Sequence, residues 1–396
     1  MKMVGYMKRK LKNMLLILFK YHLRFIYFFI KLFTVQKRRV FFLSRQFDSV
    51  PYNYQKLIDE LESDGYQTRV ICKKVASGLN SALRNEKKHG SVLSGFGGTL
   101  GYYFNLYKQM HYAATSKVII VDGYNAVASL LKHKRNTKVI QLWHALAAIK
   151  KFGYQTIGYA DGLDPDTARI LCMHKNYDYI ISGSVAMNKY FAEAFNTDIS
   201  KLRAFGTPMV DYMLKDNKKI INKIYKRYPS MKKKLNILYS PTFRSDGRDN
   251  SAEVINAFDT DKYNLIITFH PKVDQVKSDK NVICIDRNEF STLDILRVCD
   301  YVITDYSALA IDACVLNKKL LLYVYDYEQY DKENGINIDL FKELKGNVSK
   351  DIKDIVKIID NNNYNIDSYN MFRKKYLTVS DGTSTLKIVE LIEENL

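Results

Sequence analysis

The feature that most constrains the fold of this chain is an alternation of short β-branched runs with longer helical segments. Alternation of this kind predicts parallel β-sheets covered by helices on both faces, which is an α/β fold. It occurs twice, on either side of a lysine-rich stretch around Pro229. The predicted strands are 40–44, 68–72, 118–122, 139–143 and 179–182 in the first half, and 235–240, 265–269, 282–285, 301–304 and 320–325 in the second.

The length of the chain supports two separate hydrophobic cores. At 396 residues it exceeds the size at which a single core stops growing. We therefore predict two doubly wound domains that face each other across a cleft, at residues 39–215 and 235–378, joined by a linker at 216–234. In such sheets ligands bind beyond the carboxyl ends of the strands. Functional residues are therefore expected at those strand ends.

The cysteines and the charge distribution exclude several classes of protein. Five scattered cysteines, with no Cys-x-x-Cys pair, indicate a reducing, cytoplasmic compartment and no zinc site. The formal net charge is +19, but residues 1–47 hold twelve Lys or Arg and no acid. The remaining 349 residues carry 49 basic and 42 acidic side chains, a net charge of +7. The basic excess is an N-terminal feature, so nucleic acid is not the predicted partner.

That N-terminal segment, residues 1–38, alternates cations with bulky apolar residues, as in MKRKLKNMLLILFKYHLRFIYFFIKLF. Its uncharged stretches, 13–19 and 25–30, are much shorter than the roughly 20 apolar residues of a membrane span. We predict an amphipathic arm that binds an anionic membrane surface, which makes the protein peripheral on the cytoplasmic face of the cell membrane. The alternative is a core helix with a basic outer face.

A histidine lies at the end of a predicted buried strand in the stretch QLWHALAAIKKFG. His144 directly follows the strand that ends at Trp143, and Lys150 and Lys151 come within two helical turns. The lysines could bind a phosphate group, and the strand end would direct the histidine into the cleft. The alternative is an ordinary core histidine.

The second half repeats this placement of polar residues after strands. LYSPTFR, IITFHPK and VITDYS each end a predicted strand with side chains suited to an anion or to its positioning. The residues concerned are Thr242, Arg244, His270, Lys272, Thr304, Asp305 and Ser307. Taken singly, each has an alternative as a cap or a turn residue. Taken together, they predict a diphosphate site.

Two other motifs are interpreted as structural. Asp164-Pro165-Asp166 imitates the Asp-x-Asp metal motif of many sugar transferases, but a helix that opens at Asp166 and Thr167 explains it better. We therefore predict no metal site. The glycines of SGFGGTLG do not match a dinucleotide fingerprint and predict a flexible loop.

Several motifs together resemble one family. They are Trp143-His144 with Lys150-Lys151-x-Gly153, FGTPMVDYM, YSPTFR, FHPK, TDYSALAIDACVLNKKLLLYVYDYEQY and SDGTST, in that order from about Val40 to the C-terminus. This pattern resembles the CDP-glycerol glycerophosphotransferases, which prime or polymerise teichoic acids in Gram-positive bacteria. The resemblance implies a GT-B architecture of two Rossmann-like domains, with a final helix within 379–396 crossing back to the first domain.

The resemblance also implies a reaction and roles for the residues. A hydroxyl of a lipid-linked acceptor attacks the β-phosphorus of CDP-glycerol or CDP-ribitol, and CMP leaves, with no cofactor. His144 would be the base and His270 would face the diphosphate, whose oxygens Arg244, Thr304 and Ser307 would hold. Asp305 would orient those groups, because carboxylate and phosphate repel each other. Asp326 and Glu328, past the last strand, would accept hydrogen bonds from the polyol.

Two other functions are compatible with parts of the sequence. A sugar-nucleotide glycosyltransferase of the same fold needs the same anion site. A non-enzymatic, basic scaffold at the membrane would explain residues 1–47 but not the histidines and anion-binding groups at strand ends. The choice between glycerol and ribitol, the acceptor, the length of the product and the oligomeric state are left open.

Overall fold

Two parallel six-stranded sheets form the framework of the molecule. The computed structural model describes residues 2–74, 92–159, 162–242, 244, 246–268, 280–286 and 288–396. The first sheet has the order β2-β1-β3-β4-β5-β6 and the second the order β12-β11-β10-β7-β8-β9, with every pairing parallel. The second order is that of dinucleotide-binding domains, and the first is a flavodoxin-like order with one added strand. The α/β prediction is confirmed.

The predicted strands all exist, although their bounds differ by a few residues. The structure adds two short edge strands, β6 and β12, which have only two residues each and give no periodic signal. The strands are β1 Lys37–Ser44, β2 Gln67–Cys72, β3 Ser116–Val121, β4 Lys138–Gln141, β5 Tyr179–Ile181, β6 Leu202–Arg203, β7 Leu235–Tyr239, β8 Tyr263–Ile267, β9 Ile283–Cys284, β10 Tyr301–Thr304, β11 Lys319–Tyr323 and β12 Val348–Ser349.

Helices cover both faces of each sheet, and cores form on both sides. The described α-helices are α1 Lys2–Leu32, α2 Tyr52–Ser63, α3 Val92–Thr115, α4 Ala126–Leu130, α5 Pro165–Ile170, α6 Asn188–Phe195, α7 Pro208–Leu214, α8 Lys218–Arg227, α9 Ser251–Ala257, α10 Thr292–Leu296, α11 Leu309–Val315, α12 Tyr327–Asn334, α13 Leu340–Glu343, α14 Ile352–Asp360, α15 Ile366–Tyr376 and α16 Ser384–Glu393.

One prediction about local structure is wrong. The stretch SGFGGTLG was expected to be a loop, but it lies inside helix α3. Each interior glycine costs a helix about 1 kcal/mol relative to alanine. The second half of α3 offsets this cost, because Leu106 and Met110 are buried in the core of the first domain. Tertiary packing therefore overrides the local preference.

The C-terminal helix α16 packs on the first domain. Ile388 and Ile392 are fully buried in the cluster that contains Val40 and Phe42 of β1. The carboxylate of Asp211 accepts hydrogen bonds from the first backbone N–H groups of α16, at 3.0 Å from Ser384 and 2.7 Å from Thr385. The motifs FGTPMVDYM and SDGTST thus meet in space, where an acid stabilises the start of a helix.

Helix α1 lies along the first domain, with one side buried and the other exposed. Leu23 and Tyr27 are buried in the core, and the Tyr27 hydroxyl lies 2.9 Å from Nδ1 of His133. Near its start, Arg9 pairs with Asp166 of α5 at 2.6 Å. No helix in the described ranges combines the length and continuous hydrophobicity of a membrane span. Packing holds α1 against the domain that carries His144.

Candidate active site

His144 lies where three strands of the first sheet end. The ring atom Nδ1 lies 3.2 Å from the backbone oxygen of Asp122, which follows β3, and 2.8 Å from Nε2 of Gln46, which follows β1. His144 itself follows β4. Neighbouring parallel strands place their carboxyl ends together, so residues distant in sequence surround one imidazole. Within the described part of the chain, the other ring nitrogen, Nε2, has no hydrogen-bond partner.

The backbone before the histidine adopts a rare conformation. Trp143 has a φ of +56°, in the left-handed region that bulky residues seldom occupy. Its N–H donates to the side-chain oxygen of Gln141 at 3.0 Å, and its ring stacks on Phe152 at 4.8 Å and 22°. The edge of Phe195 also meets this ring at 5.1 Å. Surrounding contacts thus stabilise a strained turn that directs His144 out of the sheet, an arrangement typical of functional positions.

The surroundings keep the imidazole of His144 neutral. His144 retains an exposed surface, but dense protein around it limits hydration, and this burial lowers its pKa. The Asp122 carbonyl opposes the effect, and repulsion by the Lys150 ammonium adds to it. A histidine with a lowered pKa carries a free lone pair at neutral pH, as a general base requires.

A short backbone bridge connects the two domains beside this site. Residues Ile149 and Lys151 pair with Gly335 and Asn337, through hydrogen bonds of 3.0 Å from Lys151 N to Gly335 O and 2.8 Å from Asn337 N to Ile149 O. Gly335 has a φ of +78°, and a Cβ there would lie 2.4 Å from Cδ of Lys151. The positive φ therefore favours glycine at this position, and a larger residue would also displace the Lys151 side chain.

The two predicted lysines differ in their surroundings. The ammonium of Lys151 donates to the Tyr159 hydroxyl at 3.0 Å. Lys150 retains an exposed surface, but the protein packed around it limits hydration and lowers its pKa, while Asp305 raises it and Arg244 lowers it, so this lysine lies close to the second domain. No hydrogen-bond partner of its ammonium occurs in the described ranges. Lys150 can therefore accept an anionic ligand.

The second domain presents its own strand ends at the crevice where its strand order reverses. Thr242 follows β7 and Asp305 follows β10, and these two strands are neighbours at the reversal. The Thr242 backbone N–H and hydroxyl both donate to the Asp305 carboxylate, at 2.9 and 2.6 Å. Asp305 therefore holds Thr242 and Arg244, and its predicted role toward a ligand stays a prediction. The placement matches the ligand crevice of doubly wound sheets.

The predicted role of Arg244 needs correction. Its guanidinium is buried and donates to both oxygens of Asp326, at 2.9 and 3.0 Å, to Asp305 at 2.8 Å and to the Thr242 carbonyl. These bonds use four of its five N–H donors. Burial lowers its pKa, but Asp326 and Asp305 outweigh that effect and raise it overall. Arg244 is therefore committed to two carboxylates and cannot also clamp a diphosphate bidentately.

Three further predicted contacts differ in the structure. Thr304 is buried and donates to the Ser240 carbonyl at 2.7 Å, so it holds neighbouring strand ends together. Asp326 binds Arg244 and accepts from the Tyr306 hydroxyl at 3.0 Å, which occupies the oxygens expected to receive a polyol. Glu328 is 73% exposed and pairs with Lys350 at the surface. In each case the side chain has an intramolecular partner, and its contact with a ligand stays a prediction.

Ser307 lies just before helix α11, and two other predicted residues belong to a different segment. The Ser307 hydroxyl accepts from the N–H of Leu309 at 3.2 Å, and no acceptor for its own hydrogen occurs in the described ranges. His270 and Lys272 lie outside the described residues.

A cleft of about 340 Å³ separates the lysine segment from the second domain. Its wall carries Lys150, Lys151, Arg244 and Arg248, together with the rings of Tyr159 and Tyr330. Arg248 was not predicted from the sequence; it binds Asp246 and Glu333 at 2.5 Å each. Gln46 and Asp122 were not predicted either, although both stand at the end of a predicted strand. Asp246 and Glu333 also line the cleft, so four cations and two acids face it, and an anionic ligand suits this net positive lining.

The Asp-x-Asp stretch is structural, as predicted. Asp164 caps helix α5 by accepting from the N–H and hydroxyl of Thr167, at 2.9 and 2.8 Å. Asp166 accepts from Arg9 and Asn13 of helix α1. Among the residues that the structure describes, no group of three or more acidic, histidine or cysteine side chains is arranged to hold a metal ion.

Comparison with known proteins identifies the family. Residues 25–394 match the family described as CDP-glycerol:poly(glycerophosphate) glycerophosphotransferase. Two relatives come from Bacillus spizizenii: a teichoic acid poly(ribitol-phosphate) polymerase, 27% identical over 93% of this chain, and a teichoic acid ribitol-phosphate primase, 26% identical over 92%. This chain spans 58% of the polymerase's length and 93% of the primase's length.

Solved structures confirm the fold. A structure of the wall teichoic acid polymerase TagF has a TM-score of 0.70 and 17% identity, with 99% of this chain and 98% of that chain covered. The UDP-GlcNAc 2-epimerase from Neisseria meningitidis has a TM-score of 0.57 and 13% identity, with 90% and 100% covered. The match over nearly the whole sequence shows that this chain is an enzyme of the CDP-glycerol:poly(glycerophosphate) glycerophosphotransferase family.

Proposed function

We propose that the protein transfers a polyol phosphate from a CDP-polyol to a hydroxyl of a lipid-linked acceptor at the membrane surface, in the synthesis of teichoic acid or a related polymer. One observation carries this proposal. His144 has Nδ1 fixed at the end of β4, its Nε2 is free of partners within the described ranges, and the cationic Lys150 stands beside it. A base next to an anion-binding group is what phosphoryl transfer to a hydroxyl requires.

The reaction proceeds by one displacement at phosphorus. The acceptor oxygen forms a bond to the β-phosphorus of the CDP-polyol, and the bond between that phosphorus and the bridging oxygen of CMP breaks. The acceptor proton passes to Nε2 of His144, and CMP departs with the bridging oxygen. Lys150 and Ser307 are the groups proposed to stabilise the negative charge on the phosphate oxygens.

The names of relatives support a polyol phosphate as the transferred group. Besides the two ribitol-phosphate enzymes, a teichoic acid glycerol-phosphate primase of Bacillus subtilis is 28% identical over 73% of this chain and 76% of its own length. Glycerol phosphate is the proposed group because the family as a whole is described by CDP-glycerol. Ribitol phosphate is the second candidate, since both B. spizizenii relatives with the widest coverage carry it in their names.

Product analysis tests the proposed reaction directly. Purified full-length protein is incubated with CDP-glycerol, CDP-ribitol or UDP-sugars, with and without a hydroxyl-bearing lipid acceptor. We expect acceptor-dependent release of CMP from one CDP-polyol, and persistence of turnover in excess EDTA, because the cleft cations can stabilise the leaving group. Release of UDP from a UDP-sugar would favour the glycosyltransferase, and turnover that requires added Mg²⁺ or Mn²⁺ would contradict the metal-free mechanism.

The pH dependence follows from the lowered pKa of His144. Catalysis needs the neutral imidazole, so kcat/KM should fall only when the pH drops below a value lower than the ordinary histidine value of about 6.5. Replacing Lys150 with glutamine removes a repulsive charge and should move this acidic limb to higher pH. Measured kcat/KM between pH 4 and 8 checks both statements. If the acidic limb of the wild-type kcat/KM profile lies clearly above the ordinary histidine pKa, His144 does not act as a neutral base with a lowered pKa in the free enzyme.

Attachment to the membrane is proposed from the exposed side of α1. The helix is 31 residues long, which corresponds to about 46 Å. Along it runs a stripe of exposed apolar side chains with helical spacing, and no described part of the protein covers them. The stripe consists of Leu11, Met14, Leu15, Leu18, Tyr21, Phe25, Phe28, Phe29 and Leu32. A lipid leaflet is the partner that fits, because the surrounding cations match anionic headgroups.

The position of α1 also suits a lipid-linked acceptor. Arg9 and Lys12 of α1 pair with Asp166 and Asp164 at the start of α5. The segment just before α5 supplies Thr156, Tyr159 and Gly162 to the wall of the cleft. A membrane that holds α1 would therefore lie close to the acceptor side of the site.

Weakening the stripe should weaken membrane binding without unfolding the protein. The triple variant Phe25→Ser, Phe28→Ser, Leu32→Ser changes side chains that are 65, 57 and 63% exposed. Its partitioning onto vesicles containing anionic phospholipid should fall about tenfold or more, since apolar burial drives interfacial binding. Deletion of the whole segment is a poorer test, because Leu23 and Tyr27 belong to the core.

A matched control uses exposed apolar residues elsewhere. Ile366, Met371 and Leu386 are 49, 67 and 58% exposed on α15 and α16, and their replacement by serine should leave vesicle binding unchanged. Equal loss in both triple variants would contradict a specific role for α1. Conversion of an oligomer to a monomer by the α1 variant, with vesicle binding retained, would identify a second copy of the chain as the partner instead.

A further inference from the structure

We infer that Gln46 is a positioning residue that determines which ring nitrogen of His144 carries the proton. This inference rests on the proposed role of His144 as the base. It concerns a side chain outside the motifs that connect the chain to its family. The observation behind it is a single carboxamide that lies within hydrogen-bond distance of both His144 Nδ1 and the Asp122 carbonyl oxygen, at 2.8 and 3.2 Å.

Its surroundings fix the carboxamide of Gln46 in place. The backbone N–H of Gln46 donates to the Ser44 hydroxyl at 3.1 Å, and that hydroxyl donates to the Asp122 carboxylate at 2.6 Å. Beneath the side chain lies Gly123, where an added Cβ would come within 2.9 Å of Nε2 of Gln46. A side chain at residue 123 would therefore displace the Gln46 amide from its present position.

The two ends of the amide have opposite consequences for the histidine. Nδ1 of a neutral imidazole either accepts or donates one hydrogen bond. If the amide nitrogen of Gln46 donates to Nδ1, the ring proton sits on Nε2, and that atom cannot take a proton from an acceptor hydroxyl. If the amide oxygen faces Nδ1, the proton sits on Nδ1, and Nε2 keeps a lone pair that can accept a proton. Which end of the Gln46 amide faces Nδ1 therefore determines the tautomer of His144.

The catalytic tautomer needs two acceptors around Nδ1. With the amide oxygen turned toward the ring, the Nδ1–H of His144 is shared between Gln46 Oε1 and the Asp122 backbone oxygen, which lies 3.2 Å from Nδ1, and the 3.2 Å hydrogen bond from Gln46 Nε2 to that same oxygen is given up. Gln46 then acts on the reaction only through His144. Loss of the correct histidine tautomer in a serine-protease triad lowers kcat by about four orders of magnitude. The Asp122 carbonyl remains when Gln46 is removed, so a smaller effect is expected here.

Two substitutions of Gln46 by residues of similar shape test whether its amide sets the tautomer of His144. Gln46→Glu offers only acceptor oxygens, so it should place the proton on Nδ1, preserve kcat and move the acidic limb of the pH profile to higher pH. Gln46→Leu offers neither group and should lower kcat about tenfold or more, with a much smaller change in KM for the CDP-polyol. The ¹⁵N chemical shifts of His144 in protein labelled on histidine report the tautomer without reference to turnover.

The same experiment must distinguish the titration of His144 from that of other groups near its ring. The charged or titratable groups around His144 are the Asp122 carboxyl, whose pKa burial raises to about 6, the Lys150 ammonium, and His174 across the Trp143 ring, whose pKa burial lowers to about 3. An Asp122→Asn variant should keep the acidic limb in place. A limb that disappears with this change would assign the titration to Asp122 and would overturn the interpretation through His144.

The control is Gln55→Leu, a glutamine on α2 that pairs only with Asp59 in the described structure. It should leave kcat, the pH profile and the ¹⁵N shifts unchanged. Wild-type values of all three in Gln46→Leu would overturn the inference. The proposed function is tested separately by His144→Ala. If that variant is fully active, His144 is not the base. If it is inactive while Gln46→Leu is unaffected, His144 keeps its proposed role and only the role of Gln46 is rejected.

Discussion

Replacement of His144 by alanine is expected to lower turnover by about 10²- to 10⁴-fold while leaving the unfolding temperature close to that of the wild type. Loss of a general base typically has this effect on rate. Stability should change little, because the imidazole retains exposed surface and one ring nitrogen has no partner in the described structure. Steady-state release of CMP and a thermal melt of the same preparation measure the two quantities.

A second histidine provides the matched control. His174 is buried among Trp143, Phe195 and Tyr177, and its Nδ1 lies 3.1 Å from the Tyr177 hydroxyl. His174→Ala should therefore lower the unfolding temperature, as expected for a cavity in an aromatic core. If His144→Ala melts early and His174→Ala does not, then His144 is the structural histidine. Wild-type turnover in His144→Ala would remove it from the mechanism.

Replacement of Arg244 by alanine is expected to destabilise the protein by about 3–5 kcal/mol, the usual cost of breaking a buried ion pair by removing one partner. Asp305 and Asp326 would lose the guanidinium that neutralises them, and both side chains are almost fully buried. The expected measurement is a lower midpoint of unfolding in urea with an unchanged slope. Arg244→Lys should recover only part of the loss, since an ammonium cannot bind a carboxylate bidentately.

The control is the surface pair of Glu328 and Lys350. Glu328→Ala should change the free energy of unfolding by no more than about 1 kcal/mol, as for other exposed ion pairs. Adding Asp305→Asn and Asp326→Asn to the Arg244→Ala background removes the uncompensated charges and should restore part of the stability. Wild-type stability in Arg244→Ala, combined with a raised KM for the CDP-polyol, would instead support direct binding of phosphate by this arginine.

The positions of the principal site residues could be predicted from the sequence because short local patterns of residues show where strands end. A β-branched run ending at Trp143 predicts a strand, and the side chain after it must lie at the carboxyl edge of a parallel sheet. The same reasoning correctly located Thr242 and Asp305, which stand side by side in the structure. It also explained the Asp-x-Asp stretch as a helix start, because capping is a contact between residues three positions apart, although the cap is Asp164 and the helix begins at Pro165, one residue before the predicted opening.

The partners of those residues were not accessible in the same way. A guanidinium near a predicted phosphate site looks like an anion clamp, and nothing in YSPTFR indicates that Asp326, 82 positions later, will occupy it. Gln46 carries no motif and reaches His144 only because β1 and β4 flank β3 in the first sheet. The helix at SGFGGTLG was also missed, since packing of its second half outweighs the glycines.

The sequence by itself determined the two α/β domains, the family and the strand ends that bear the chemistry, because periodicity, caps and motifs depend on residues that are near neighbours along the chain. Only the tertiary structure decided which side of α1 is buried, that Arg244 serves two carboxylates, and that Gln46 and Asp122 surround the imidazole of His144. The physical reason is that each side chain can form only a few hydrogen bonds, and several groups compete for them. A side chain's role depends on which of several possible partners the fold brings within about 3 Å, and strand order, not sequence spacing, sets that distance.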